Sequence, residues 1–135
     1  MENAIVVPCY NEAGRLDLSS FNDFLKQNDN YTICFVNDGS SDNTLQVLKE
    51  FQTGRETRVH VYNAPLNNGK AEAIRSGVNY MLENTTATNI GFMDADLATG
   101  FDDYENLVGS LTDNIDTDGM VIGSRTRVNT ANIQR

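Results

Sequence analysis

Positive charge is scarce in this sequence. Ten Lys and Arg stand against nineteen Asp and Glu in 135 residues, a formal net charge of −9. That balance argues against a nucleic-acid partner, which needs a basic face. It leaves room for small phosphorylated ligands, which backbone amides, one or two bases and a metal can hold. Histidine is also scarce. His60 is the only one, and no G-x-S-x-G elbow accompanies it, so Ser-His-Asp chemistry has no footing. Its setting, Val59-His60-Val61-Tyr62, alternates like a strand and predicts an outward-facing residue. The two cysteines, Cys9 and Cys34, lack the paired spacing of a zinc site and are expected to be buried, reduced thiols. No G-x-G-x-x-G occurs, which argues against a dinucleotide-dependent oxidoreductase. No stretch approaches the roughly 18 apolar residues of a membrane span. Residues 1–5 lack the basic start and apolar run of a signal peptide, so a cytoplasmic location is expected.

What is present is a regular alternation of elements. At 135 residues and 39% hydrophobic, the chain is expected to form one core. Ala4-Ile5-Val6-Val7 reads as a strand stopped by Pro8. A helix is expected over 16–27, with Leu18, Phe21 and Leu25 on one face. A second strand covers 31–36. Residues 37–43 form a loop in which Ser41 or Asp42 can cap the next helix. That helix runs to about Phe51, with Leu45, Leu48 and Phe51 inward. A third strand covers 59–62 and a turn 67–69. A third helix over 70–82 presents Ile74, Val78, Met81 and Leu82 at helical spacing. A fourth strand over 89–93, a fourth helix over 102–111 and a fifth strand over 120–123 complete the pattern.

Strands alternating with helices imply an α/β fold, a parallel sheet with helices on both faces. The short, almost wholly apolar strands suit a sheet covered on both sides. Ligands of such sheets bind beyond the carboxyl ends of the strands. All five polar clusters fall there: Tyr10-Asn11-Glu12, Asn37-Asp38-Gly39-Ser40, Asn67 to Lys70, Asp94-Ala95-Asp96 and Ser124-Arg125.

The carboxylate pair is the most informative. Ionised Asp94 and Asp96 two residues apart would repel each other, and a divalent cation removes that cost. Oxygen ligands suit Mg²⁺ or Mn²⁺, and Mg²⁺ commonly takes one or two carboxylates plus substrate phosphates. A helix cap or solvated loop is the simpler alternative for D-x-D taken alone. Asp38 at a strand tip can accept hydrogen bonds from a base or ribose, although its loop also reads as ordinary turn chemistry. Gly69-Lys70 at a helix start offers amides and an ammonium suited to phosphate, or a surface lysine. Arg125 either neutralises a diphosphate or is surface charge.

Val7-Pro8-Cys9-Tyr10-Asn11-Glu12, Val36 to Thr44, Asn68-Gly69-Lys70 with Ala73 to Gly77, Met93-Asp94-Ala95-Asp96 and Gly123-Ser124-Arg125 occur in this order. The succession resembles the family 2 glycosyltransferases of GT-A fold, above all the dolichyl-phosphate and polyprenyl-phosphate sugar synthases, from Ile5 to Arg125. Each motif alone is weak; the ordered set is specific. The resemblance implies a Rossmann-like GT-A sheet of the nucleotide-diphospho-sugar transferase type. It implies an inverting, metal-dependent transfer of a sugar from a nucleoside-diphosphate sugar to a polyprenyl phosphate, lipid or glycan. Pro8, Tyr10 and Glu12 would then line the nucleotide pocket, Asp38 would meet the base or ribose, and Gly69 and Lys70 would lie near the nucleotide. Asp94 and Asp96 would hold Mn²⁺ or Mg²⁺ on the donor diphosphate, with Arg125 near the phosphates. Asn37 departs from the pattern, since many relatives carry Asp there. Residues 1–125 are expected to be the donor-binding domain. The polar tail 126–135 is expected to begin an acceptor half that the chain lacks. That half would supply any general base and any anchor to the cytoplasmic face of a membrane. Two alternatives stand beside this reading. One is a non-catalytic fragment that binds nucleotide and metal. The other is a haloacid-dehalogenase-type phosphotransferase, disfavoured because Ala98 stands where Thr or Val is expected and because the D-x-D follows the fourth strand rather than the first.

Overall fold

The computed structural model describes residues 2–96 and 119–122. Among the described residues, five strands and three helices follow in the order β1 Asn3–Cys9, α1 Leu18–Gln27, β2 Tyr31–Asp38, α2 Thr44–Gln52, β3 Val59–Ala64, α3 Lys70–Asn84, β4 Asn89–Phe92 and β5 Gly119–Ile122. The strands form one sheet in the order β3-β2-β1-β4-β5, with every neighbouring pair parallel. The expected α/β architecture, a parallel sheet with helices on both faces, is therefore present. The fourth helix expected over 102–111 and the segment holding Ser124 and Arg125 lie outside the described residues.

Side-chain alternation along the strands sorts the core into two layers. Ile5 and Val7 of β1 and Ile33 and Phe35 of β2 face α1 and α2, where they meet Phe21, Phe24, Leu25, Leu48 and Phe51. Ala4 and Val6 of β1 and Cys34 and Val36 of β2 face α3, packing on Ala73 and Met81. Ala4 to Val7 are fully buried, as a central strand covered on both faces requires. The chain walks outward from β1 to β3 and then returns across the sheet to β4. Right-handed crossovers put helices made in opposite directions on opposite faces, which accounts for α3 lying alone on its side among the described helices.

Three expectations need correction. Pro8 does not stop β1, which continues to Cys9 and pairs with β2 to the end. The Val6 carbonyl accepts the Met93 N–H from the β4 side at 3.0 Å, and backbone groups alternate sides along a strand. Pro8, two residues on, therefore faces that same side, where the β4 ladder has already ended at Phe92. Its missing N–H costs no ladder bond. The second correction concerns α3. Its buried stripe is Ala73, Gly77 and Met81, while Leu82 is exposed. A Cβ at Gly77 would lie 2.5 Å from Val6 Cγ1 and 2.8 Å from Val36 Cγ2, so glycine there sets how closely α3 approaches β1 and β2. The third is His60, which is half-buried rather than outward-facing. It packs edge-on to Tyr80 of α3 at 6.0 Å between ring centroids, and burial lowers its pKa.

Helix starts follow local chemistry. α1 begins two residues later than the apolar spacing suggests. Asp17 caps it by accepting the Ser20 N–H at 3.2 Å and the Ser20 hydroxyl at 2.7 Å, which also lowers the Asp17 pKa. At α2 the cap position is Asn43, but the side-chain bond is made by Asp42, whose Oδ1 accepts the Thr44 N–H at 2.9 Å.

Candidate active site

Three loops at the carboxyl end of the sheet are tied to one another. Asn11, in the left-handed region at φ 52°, donates its N–H to Ser40 Oγ at 2.9 Å. Its Oδ1 accepts the N–H groups of Ser41 and Asp42 at 2.8 and 3.2 Å. The Glu12 N–H reaches Thr44 Oγ1 at 2.9 Å. The loop after β1 is thus locked to the loop after β2. The loop after β3 joins them through Asp38, whose Oδ1 accepts the Asn68 N–H and whose carbonyl accepts Asn67 Nδ2, each at 3.1 Å. Gly39, at φ +66°, lies so close that a Cβ would stand 2.3 Å from the Asn67 backbone nitrogen.

These loops enclose a cavity of about 350 Å³. Pro8, Cys9, Tyr10 and Glu12 come from β1 and the loop beyond it. Asp38 comes from β2, and Asn67, Gly69 and Lys70 from the approach to α3. Asp94, Ala95 and Asp96 follow β4. The cavity lies outside the carboxyl ends of β1 and β4, the neighbouring strands between which the strand order reverses. This is where open α/β sheets bind ligands. Eight of the nine residues singled out from the sequence line it: Pro8, Tyr10, Glu12, Asp38, Gly69, Lys70, Asp94 and Asp96. The ninth, Arg125, lies outside the described residues.

Charge within the cavity is polarised. Asp94 is buried and Asp96 exposed at the rim. Lys70 Nζ forms an ion pair with Asp94 Oδ1 and sits 5.6 Å from the Phe92 ring centroid. Lys70 opens α3, whose N-cap is Gly69 at φ 96° with no side-chain capping bond. The first amides of a helix have no intrahelical partners, and here no cap side chain occupies them. Glu12 pairs with Arg15 at 3.2 Å. The two hard carboxylates suit Mg²⁺ or Mn²⁺, while the first amides of α3, uncapped among the described residues, and the Lys70 ammonium suit the oxygens of a phosphorylated ligand. Among the described residues no three His, Cys, Asp or Glu side chains converge as a metal site, so such a cation would complete its shell with ligand oxygens and water.

Some residues do less than their position suggests. Cys9 lines the cavity, yet it is 1% exposed. Burial raises its thiol pKa, as it raises that of Cys34 to about 12. Both remain free, buried thiols as expected. Asn37 does not line the cavity. It donates from Nδ2 to Asn63 Oδ1 of β3 at 2.9 Å, and its own Oδ1 is buried with no partner among the described residues. Asn67 was legible only as part of a polar turn, and the Lys70–Asp94 pairing had no signal in the sequence.

Comparison with known proteins gives a consistent family. The model of the Glycosyl transferase family 2 matches residues 4–135. Dolichyl-phosphate beta-glucosyltransferase of Drosophila melanogaster is 36% identical over 138 residues, covering 93% of this chain and 41% of that protein. The Saccharomyces cerevisiae protein of the same name is 33% identical over 117 residues, covering 81% of this chain and 34% of its own. The chain thus spans about two-fifths or less of the length of these relatives. Among solved structures, a mannosyltransferase from Pyrobaculum calidifontis in complex with GDP-Man and Mn²⁺ superposes with a TM-score of 0.56 at 22% identity, covering 70% of this chain and 27% of that one.

Proposed function

This chain belongs to glycosyl transferase family 2, and we propose that it binds a nucleoside-diphosphate sugar with Mg²⁺ or Mn²⁺ for inverting transfer of the sugar to a polyprenyl phosphate. The observation that carries this reading is the cavity at the β1–β4 switch point, which gathers Asp38, Gly69, Lys70, Asp94 and Asp96. The dolichyl-phosphate relatives support a lipid phosphate as acceptor, and the mannosyltransferase complex supports a sugar nucleotide with a divalent cation.

In this reading Tyr10 and Pro8 wall the base, and Asp38 accepts from the base or ribose through the oxygen that does not hold Asn68. The amides at the start of α3 and Lys70 face the diphosphate. Asp94 and Asp96 hold the cation, which when bound stabilises negative charge on the leaving diphosphate. The acceptor oxygen attacks the anomeric carbon on the face opposite the diphosphate. The new C–O bond forms as the bond to the diphosphate oxygen breaks, and the configuration inverts. A phosphate acceptor is already anionic and needs no general base; a hydroxyl acceptor would. The same site without turnover would be a nucleotide-binding module. Calorimetry with UDP and GDP, followed by a sugar-transfer assay with polyprenyl phosphate, separates the two: binding with transfer supports the enzyme, and binding without transfer supports the module.

Asp38→Ala tests the nucleotide half of the site. Loss of a hydrogen bond to a charged group is expected to weaken UDP or GDP binding about tenfold, equally in EDTA and in Mn²⁺. Weakening confined to the Mn²⁺ titration would contradict the assignment of Asp38 to the base or ribose.

A further inference from the structure

Lys70 and Asp94 come from opposite sides of the strand reversal, one opening α3 and the other following β4. The carboxylate side chain is 11% exposed and the lysine side chain 56%. Met93 and Ala95 beside the carboxylate are buried. A carboxylate in such surroundings is costly unless it is compensated, and Lys70 offsets that cost. A divalent cation and an ammonium compete for Asp94 Oδ1, because both are positive and cannot share it without strong repulsion. Lys70 also has somewhere else to go. Its stem is long, flexible and mostly in solvent, and it stands beside the α3 amides that suit a phosphate.

We infer that Lys70 is a built-in counter-ion that occupies Asp94 in the ligand-free site, yields it to the divalent cation and transfers to the diphosphate. The inference rests on the proposed reading of the site and goes beyond it. It makes cation and nucleotide binding cooperative through one side chain. The cation alone must displace Lys70 with no compensation. The nucleotide gives the displaced ammonium a new partner, and by linkage each ligand raises the affinity of the other by the same factor.

The test is titration of Mn²⁺ alone, by calorimetry and by loss of the free Mn²⁺ EPR signal, into wild type, Lys70→Met, Lys70→Arg and Asp94→Asn. Thermal midpoints confirm that each variant is folded. Lys70→Met is expected to bind Mn²⁺ about fivefold more tightly than wild type, while Lys70→Arg, which keeps the charge, stays near wild type. With UDP or GDP at saturation the advantage of Lys70→Met is expected to vanish or reverse. Equal or weaker Mn²⁺ binding by Lys70→Met overturns the inference. So does an advantage that persists undiminished with nucleotide bound, which would be only the field of a deleted charge. Asp94→Asn separates the two levels. If it binds Mn²⁺ as wild type does, the cation site itself is misassigned. If it binds more weakly while Lys70→Met is unchanged, only the displacement of Lys70 fails.

Discussion

Asp96→Asn is expected to weaken Mn²⁺-dependent nucleotide binding by about ten- to a hundredfold, while the ligand-free thermal midpoint moves by no more than about 2 °C. The substitution keeps the shape of the side chain and removes one negative charge and one oxygen donor. Asp96 is exposed at the rim, so the folded chain does not depend on it for packing. The expected effect therefore falls on the cation and on the diphosphate it carries, and binding in EDTA is expected to be unchanged. Calorimetry in Mn²⁺ and in EDTA checks both halves. Equal Mn²⁺-dependent binding by variant and wild type would contradict the assignment of the carboxylate pair to a metal.

The largest structural effect is expected at Gly39. Its φ of +66° is costly for a residue with a Cβ, and that Cβ would stand 2.3 Å from the Asn67 nitrogen and 2.6 Å from the Leu66 carbonyl carbon. Both neighbours are backbone, so a rotamer change cannot relieve the contact. Gly39→Ala is expected to destabilise the chain by about 2–4 kcal/mol, combining the left-handed backbone with overpacking. That corresponds to a fall in thermal midpoint of about 10 °C. Nucleotide affinity is expected to fall with it, because the displaced loop carries Asn68 away from Asp38. Gly54→Ala is the control. Gly54 has φ +85° with nothing among the described residues within 4 Å of the added Cβ, so it meets only the backbone cost of about 1–2 kcal/mol. Chemical denaturation of the two variants compares them directly. Equal losses would mean that the contact between the β2 and β3 loops does not hold the site together.

The parts of this fold set by local periodicity were legible in the sequence, and the parts set by long-range contact were not. Val6 and Val7, Ile33 and Phe35, and Phe21 and Leu25 all announce buried positions through apolar spacing, and the sheet followed from the alternation of such segments. The carboxyl-end clusters were legible for a topological reason. Parallel strands all point one way, so whatever follows them shares one rim. Pro8 misled because local chemistry says that proline ends a strand, whereas only the end of β4 at Phe92 makes that position harmless. Gly77 reads as a weak helix residue until Val6 and Val36 are seen against it. His60 reads as outward because strand alternation does not reveal that Tyr80 of α3 covers it. The ion pair of Lys70 with Asp94 joins residues 24 apart across the strand reversal, and no local pattern encodes that meeting. Asn37 bears on the same point. The sequence marked it as a departure within a nucleotide motif, but its side chain bonds to Asn63 at the sheet edge.

The central claim is that the β1–β4 cavity takes a nucleoside diphosphate together with a divalent cation. Thermal denaturation of this chain with UDP, GDP and their sugars, each with and without Mn²⁺, tests it most directly. A ligand that binds only the folded state stabilises it by about 2.7 kcal/mol at a hundredfold excess over its dissociation constant. The predicted result is a rise in midpoint of several degrees with one nucleotide and its sugar, larger in Mn²⁺ than in EDTA and reduced in Asp96→Asn. An unchanged midpoint with every nucleotide, in Mn²⁺ as in EDTA, would contradict it.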